Sequence, residues 1–128
     1  MASAATTVKV FGAYIIVTGI TLMFAPNLLL GIFGFAAAHE VWVRVLGAVA
    51  LILGYYYWAC AAAGVKAFYT ISVRGRVAFF VLTVAFVATG IAPWMLVVLG
   101  LADLSGAVWT RAALRAEDRE IHRGSVEN

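Results

Sequence analysis

Residues 94–110 read WMLVVLGLADLSGAVWT, a stretch that is apolar except for Asp103, Ser105 and Thr110. A bilayer span needs about 20 mostly apolar residues, and a carboxylate at mid-bilayer depth costs several kcal/mol unless it is paired, protonated or wetted. The stretch therefore predicts a membrane-spanning helix with one polar position inside it.

The whole chain has the composition of a membrane protein. Of its 128 residues, 65% are hydrophobic and 12% are charged, and the mean hydropathy is +1.02, whereas soluble domains carry roughly 25% charged residues. Further apolar stretches cover residues 8–25, 41–63 and 77–92. They are continuous and do not alternate with polar residues as barrel strands do. We predict an all-α integral membrane protein, a four-helix transmembrane bundle that uses residues 1–128 as a single domain.

The regions between these stretches are short. Pro26 ends the first helix, because proline disfavours helical geometry in the residue before it. Residues 28–35 form an apolar segment too short to span, which is expected either to lie in the interface or to re-enter the bundle. Residues 65–76 are interpreted as a connection, and Pro93 leaves only a tight turn between the last two helices. Residues 111–128 are expected to be a charged tail that extends the fourth helix into water.

Basic residues are distributed unevenly along the chain. Eight of the nine fall in regions that four crossings put on one side of the membrane: Lys9, Lys66, Arg74, Arg76, Arg111, Arg115, Arg119 and Arg123. Arg44 alone falls on the other side. By the positive-inside tendency, both termini are expected in the cytoplasm. A net charge of +3 placed in this way favours contact with membrane lipid over contact with nucleic acid.

Asp103 and Arg44 are charged residues that fall within predicted spans, whereas Lys9 only opens the first span. Arg44 shares a helix face with Gly47, and Asp103 shares one with Gly100 and Gly106, so both are expected to point into the bundle. In one interpretation they form a buried pair that fixes the helix register. In another they belong to a polar site in a cavity that opens to the outer leaflet, and in a third Asp103 is simply exposed. Ionisable residues within spans indicate functional sites by default.

The site interpretation adds aromatic residues to these two. Trp42 and Trp94 would line the outer mouth of the cavity, and Tyr55 and Trp58 share a helix face with Arg44. Aromatic belts at the headgroup level account for many such residues, and a stacked ring ligand of the quinone type is the alternative. The candidate binding residues are therefore Arg44, Trp42, Tyr55, Trp58 and Trp94.

Catalysis on a hydrophobic substrate is a rival interpretation of the same polar position. Asp103 would be the acid or base of an isomerase, hydrolase or cyclase, and Glu40 or His39 at the outer mouth would be the second proton-transfer group. Neither a metal nor another cofactor is expected. A zinc site needs several ligands at suitable spacing, and the other histidine, His122, falls on the opposite side of the membrane. The single cysteine, Cys60, excludes an internal disulfide and a cysteine cluster.

Three short motifs carry a family resemblance: PNLLLG at residues 26–31, RVLG at 44–47, and the GY at 54–55 that ends a glycine-punctuated helix. Together they resemble the DoxX-like group of small four-helix bacterial membrane proteins, and within it the DUF4345 type. The resemblance covers mainly the first two helices and implies a bacterial inner membrane. The namesake of the group is similar to a subunit of a thiosulfate:quinone oxidoreductase, which implies a redox-partner or assembly role. A more distant likeness to sterol isomerases of the EXPERA type implies the catalytic alternative.

The small size of the chain shapes the functional expectation. Small-residue helix faces without a recognisable catalytic constellation predict an accessory subunit or a binder of a lipophilic molecule, of lipid or quinone type. Because a four-helix bundle has few inward positions, a homo-oligomer or a larger membrane complex is expected. An intramembrane enzyme remains the alternative.

Overall fold

A computed structural model describes residues 3–127. The domain was predicted to cover residues 1–128, of which residues 1–2 and 128 lie outside the described residues. Five helices make up most of the described part: α1 Ala4–Phe24, α2 Pro26–Ile32, α3 Val41–Ala62, α4 Lys66–Ala88 and α5 Met95–Glu127. Helices α1, α3, α4 and α5 are each long and apolar enough to cross a membrane. The prediction of an all-α protein with four candidate membrane-spanning helices is confirmed for this part of the chain.

The segment after the first helix is itself helical. Helix α2 begins at Pro26, where the fixed φ angle of proline suits the first position of a helix, and its 7 residues are too few to span a bilayer. It packs against α1. Asn27 Oδ1 accepts a 2.8 Å hydrogen bond from the Ala38 backbone N–H, which ties α2 to the segment that leads into α3.

The third spanning helix begins earlier than the sequence predicted. Residues 65–76 were expected to be a connection and Val77 the start of a helix, but α3 ends at Ala62 and α4 already begins at Lys66. The turn between them is short because Gly64 adopts a φ of +72°, which side-chain-bearing residues rarely adopt. The predicted connection is therefore wrong, and the first three turns of α4 take its place.

Polar residues explain this error. The basic residues Lys66, Arg74 and Arg76 indicated a connection, yet Tyr69, Ser72 and Arg76 recur at spacings of three and four and therefore share one helix face. All three side chains are buried, and Arg76 is only 2% exposed. The face of α4 that carries these three residues thus points into the bundle, while apolar residues such as Ile71 and Val81 are exposed.

Helices α1 and α3 pack antiparallel in backbone contact. Gly12 and Gly19 on α1 face Gly54 and Gly47 on α3, with a spacing of seven residues on both helices. A Cβ built on Gly19 would lie 2.6 Å from Leu51 N, and one built on Gly47 would lie 2.7 Å from Gly19 O. A Cβ on Gly54 would lie 2.8 Å from Gly12 O. Such separations exclude side chains, so glycines at these positions set the distance between the two helices.

Helices α4 and α5 form a second antiparallel pair, joined by a short connection in which Gly90 has a φ of +77°. Helix α1 also contacts α5, and α1 is thus the element that holds the two pairs together. The buried hydrophobic cluster lies where the start of α1, the end of α3, the start of α4 and the later part of α5 meet: Ala4, Val8, Phe11, Tyr57, Ala61, Tyr69 and Ala113.

Helix α5 is longer than a membrane span. Its 33 residues extend for roughly 50 Å at 1.5 Å per residue, whereas the hydrocarbon core of a bilayer is about 30 Å thick. The charged residues that follow the apolar stretch are part of this one helix. Glu117 Oε1 accepts a 2.8 Å hydrogen bond from the Ala4 N–H, so the extension of α5 satisfies a free donor at the start of α1.

Replacement of Gly19 by alanine tests the close packing of α1 and α3. We expect a loss of about 1–3 kcal/mol in the free energy of unfolding, the usual cost of overpacking, because the added methyl group would meet the Leu51 backbone. Thermal unfolding of the detergent-purified protein measures the effect. Gly75→Ala is the matched control: nothing lies within 4 Å of its added Cβ, so alanine should leave stability unchanged or raise it. Equal losses for the two variants would contradict this packing.

Candidate functional site

The guanidinium of Arg76 is the centre of the polar interior. Its Nε donates to Ser72 O at 3.3 Å, and its Nη2 donates to Ser72 Oγ and to Thr110 Oγ1, each at 3.0 Å. Its Nη1 is buried and has no hydrogen-bond partner among the described residues. A buried donor without a partner costs about 1–3 kcal/mol, and native proteins contain few of them. Nη1 is therefore the atom of this site that most requires an explanation.

Aromatic rings hold the same guanidinium from two other helices. Arg76 Cζ lies 4.5 Å from the centroid of the Phe11 ring of α1 and 5.8 Å from that of the Tyr57 ring of α3. A cation over an aromatic face is attracted by the ring quadrupole, and the attraction is stronger where water is excluded. Together with Ser72 on α4 and Thr110 on α5, these rings make Arg76 the residue at which all four long helices meet.

A pair of threonines extends the polar contacts towards the start of α1. Thr7 Oγ1 lies 2.9 Å from Thr110 Oγ1 and 2.7 Å from Ala4 O. Both threonine side chains are completely buried. Because Thr110 Oγ1 also accepts from Arg76, these contacts link α1, α4 and α5 through hydroxyl groups.

Gly106 of α5 packs directly against the guanidinium, whose Nη1 is itself buried. A Cβ built on Gly106 would lie 3.1 Å from Arg76 Nη1 and 3.0 Å from Phe11 Cδ2, so any larger side chain would cover the guanidinium. Gly106 also lines a mostly apolar groove of about 380 Å³ between α1 and α5. The groove is lined by Val10, Phe11, Tyr14, Ala102, Ser105, Gly106 and Trp109. Its volume falls in the range of small-molecule pockets, about 300–1,000 Å³.

Asp103 lies about one turn of α5 before Gly106 and, like Arg76, is not among the residues that line the groove. Its side chain is partly buried, and its charge interacts with Arg76, Tyr14 and Tyr57. These interactions act at long range, and no described residue donates a hydrogen bond to the Asp103 carboxylate. The site thus combines a buried cation that has a free donor with a nearby carboxylate that has free acceptors.

Arg44, the expected partner of Asp103, lies elsewhere. Its side chain is exposed, and its Nη1 donates a hydrogen bond to the Met23 carbonyl oxygen near the end of α1. The cation whose charge acts on Asp103 is Arg76, which the sequence had placed in a connection. No ion pair joins Asp103 to Arg44 or to Arg76 among the described residues; the charge of Arg76 acts on Asp103 at longer range, because the early start of α4 brings Arg76 into the bundle.

The residues expected at an outer mouth are spread over the surface. His39 and Glu40 precede α3 and are exposed, and Glu40 makes no side-chain capping bond there. Trp42 and Trp94 are 70% and 69% exposed. None of these residues lines the groove beside Asp103. Within residues 3–127 no three His, Cys, Asp or Glu side chains are grouped so that they could hold a metal ion.

The aromatic residues of α3 divide between two faces. Tyr55 and Trp58, which were proposed to stack a ring ligand, are exposed on the outside of the bundle. The Tyr55 ring centroid lies 6.0 Å from that of Tyr56, and Lys9 Nζ lies 5.5 Å from the centroid of the Trp58 ring. The inward aromatic residue is Tyr57, which sequence reasoning did not single out.

Comparisons with protein-family models, with curated proteins and with solved structures find no match for this chain. The resemblance to DoxX-like proteins therefore remains a prediction from three short motifs. Since a fold can host many functions, the function of this chain has to be inferred from the chemistry of Arg76, Asp103 and the groove between α1 and α5.

Substitution of Thr110 by valine tests the contribution of the buried hydroxyl contacts. Valine has nearly the same shape but cannot accept from Arg76 Nη2, so we expect a loss of about 1–3 kcal/mol in the free energy of unfolding. Thr21→Val is the control, because Thr21 Oγ1 donates only to Val17 O of its own helix, and it should change stability by about 0.5 kcal/mol or less. If the two variants unfold at the same temperature, Thr110 does not support the guanidinium.

Proposed function

We propose that this chain is a multi-pass membrane protein that binds a lipophilic molecule in the groove between α1 and α5. The apolar part of the ligand lies along the groove, and its polar end lies beside Arg76 and Asp103. The observation that carries this proposal is the buried Nη1 of Arg76, which has no hydrogen-bond partner among the described residues and would lie 3.1 Å from a Cβ built on Gly106, a residue that lines the groove.

The groove has the shape and chemistry that such a ligand requires. Pockets for small molecules combine apolar walls with a few convergent polar groups. Val10, Phe11 and Trp109 supply apolar walls, and Ser105 is a polar residue among the lining side chains. Since the groove lies on the side of the bundle, a ligand would enter it laterally from the surrounding lipid and would not need to cross water.

Catalysis by Asp103 is less well supported. Acid–base catalysis needs a second proton-transfer group close to the reacting atoms. The predicted partners, Glu40 and His39, are exposed and do not line the groove. A binder is therefore favoured over an isomerase, hydrolase or cyclase. An accessory role in a homo-oligomer or a redox complex, as the DoxX-like resemblance implies, belongs to the same proposal.

A groove-filling substitution tests ligand binding. Ala102 is exposed and lines the groove, so Ala102→Phe should fill part of it without disturbing the core. We expect the lipophilic molecules that copurify with the protein to fall about tenfold, which corresponds to about 1.4 kcal/mol of lost contact. Mass spectrometry of organic extracts measures the amount.

The matched control is Leu101→Phe. Leu101 is the neighbouring residue, 48% exposed, and it does not line the groove. This variant should retain the extracted molecules at the level of the unsubstituted protein. Equal amounts in both variants, or no specific molecule in any sample, would contradict the proposed function.

The proposed location is a bacterial inner membrane with both termini in the cytoplasm. The start of α1, the end of α3, the start of α4 and the later part of α5 meet at one end of the bundle, where Glu117 bonds to Ala4 and Tyr69 to Ala61. Because Arg76 is buried within the bundle, the positive-inside argument now depends on the other basic residues at this end.

A reporter fusion tests this topology. Alkaline phosphatase joined to the C-terminus should be inactive, since the enzyme is active only outside the cytoplasm, and a fluorescent protein at the same position should be fluorescent. High phosphatase activity with a dark fluorescent fusion would place the C-terminus outside and overturn the orientation.

A further inference from the structure

We infer that the part of α5 that follows its apolar stretch binds the head group of an anionic phospholipid. The binding surface is an arginine stripe formed by Arg111, Arg115, Arg119 and Arg123. The phosphate of the lipid lies among the guanidinium groups, and its acyl chains lie against the apolar part of α5. This site is separate from the groove between α1 and α5, and it does not depend on the ligand proposed for that groove.

The arginine stripe occupies one side of α5. Each arginine follows the previous one by four residues, a step of about 40° around the helix axis, so the four cover about a third of the circumference. All four side chains are exposed. The nearby acidic residues lie about 80° or more from the middle of the stripe: Glu117, Asp118 and Glu120. The stripe is therefore a basic surface and not a face on which opposite charges alternate.

The charges of the stripe are not neutralised by the part of the chain that the structure describes. No described side chain forms an ion pair with Arg111, Arg115 or Arg119. Glu117 accepts a hydrogen bond from the Ala4 N–H at the start of α1 and is thereby engaged elsewhere. Like charges four residues apart destabilise a helix. An anionic ligand would supply the opposite charge that the stripe lacks.

An open recess of about 400 Å³ lies among the first three arginines. Its lining residues recur at spacings of three and four along α5: Val108, Arg111, Ala112, Arg115, Ala116 and Arg119. The alanines are short, so no long side chain stands between the guanidinium groups. Val108, at the end nearer the apolar stretch, is 61% exposed. The recess thus passes from an apolar to a basic surface, as a phospholipid passes from acyl chain to phosphate.

The first arginines of the stripe lie at the depth of lipid head groups. Arg111 directly follows the apolar stretch that ends at Thr110, and Arg115 lies about 6 Å further along the helix. Beyond the hydrocarbon core, each head-group layer is roughly 5–8 Å thick. Cα–Cβ bonds in a helix tilt towards its N-terminus, which in α5 is the apolar end. The arginine side chains therefore start in the direction of the membrane.

The chemistry of arginine selects a phosphate group. A guanidinium donates two parallel hydrogen bonds to a phosphate, and basic clusters immediately beside a membrane span bind anionic head groups. A nucleic acid offers similar phosphates but no apolar part. Because exposed Val108 belongs to the same recess and α5 continues directly from the apolar stretch, a phosphate joined to acyl chains fits this surface better.

Native mass spectrometry of the full chain in detergent tests the site. The protein is titrated with phosphatidylglycerol and with phosphatidylcholine that carry identical acyl chains. Both lipids have one phosphate, but only phosphatidylglycerol has a net negative charge. We expect phosphatidylglycerol to bind more tightly. Arg111→Gln combined with Arg115→Gln should weaken its binding about 25-fold, because each arginine beside an anionic head group contributes roughly a factor of five.

The matched control removes the same charge from α4. Lys66 and Arg74 are exposed, and neither lines the recess. Lys66→Gln combined with Arg74→Gln should leave the affinity for phosphatidylglycerol within about a factor of two. Arg115→Gln alone, expected to weaken binding about fivefold, measures the same effect if the double variant does not fold. Melting temperatures without added lipid check the fold of each variant.

Four results would overturn the inference. Equal binding of the two lipids by the unsubstituted protein would show that charge is not recognised. Equal losses in the two double variants would show that only the net charge of the protein matters. Displacement of phosphatidylglycerol by an equal concentration of inorganic phosphate would show a site for free phosphate. An oligonucleotide that binds more tightly than phosphatidylglycerol and requires Arg111 and Arg115 would show a nucleic-acid surface.

Discussion

A guanidinium buried among four apolar helices constrains everything around it. Arg76 donates hydrogen bonds to Ser72 and Thr110 and lies over the rings of Phe11 and Tyr57, so its contacts come from all four long helices. Moving α1, α3 or α5 away from α4 would remove a partner from a charge that has little access to water, and such a loss is costly. The arginine therefore fixes how the helices meet as well as forming a site. Helix packing does not explain why Nη1 has no hydrogen-bond partner among the described residues.

Close packing of α1 against α3 is the second constraint and complements the first. Glycine at positions 12, 19, 47 and 54 lets the two backbones touch, and this contact depends on van der Waals packing because lipid offers no hydrophobic driving force between helices. The guanidinium then needs only to connect this pair with α4 and α5. The backbone contact between α1 and α3 and the polar centre at Arg76 thus both hold together a bundle that exposes many large apolar side chains.

Sequence alone was sufficient for the class of fold, and its limits have a physical basis. Continuous apolar runs show where helices cross, so the four long helices were predictable, as was the polar position at Asp103. The same hydropathy reasoning placed Arg76 in a connection, because the number of charged residues in a segment does not show which face of a helix is buried. The spacing of Tyr69, Ser72 and Arg76 by three and four residues is the signal in the sequence that they share one helix face. The pairing of Arg44 with Asp103 failed for the same reason, because partners between helices depend on helix ends that shift by several residues.

The position of the groove has a mechanical consequence. The bundle consists of two antiparallel pairs, α1 with α3 and α4 with α5, which are joined mainly where α1 meets α5. The groove occupies this joint, so a molecule seated in it touches both pairs at once. If a ligand occupies the groove as proposed, its binding would stabilise the contact between the two pairs, and without it the threonine contact and the guanidinium would hold them together. A ligand at this position would therefore also support the packing of the helices, so that the stability of the bundle would depend on whether the groove is occupied.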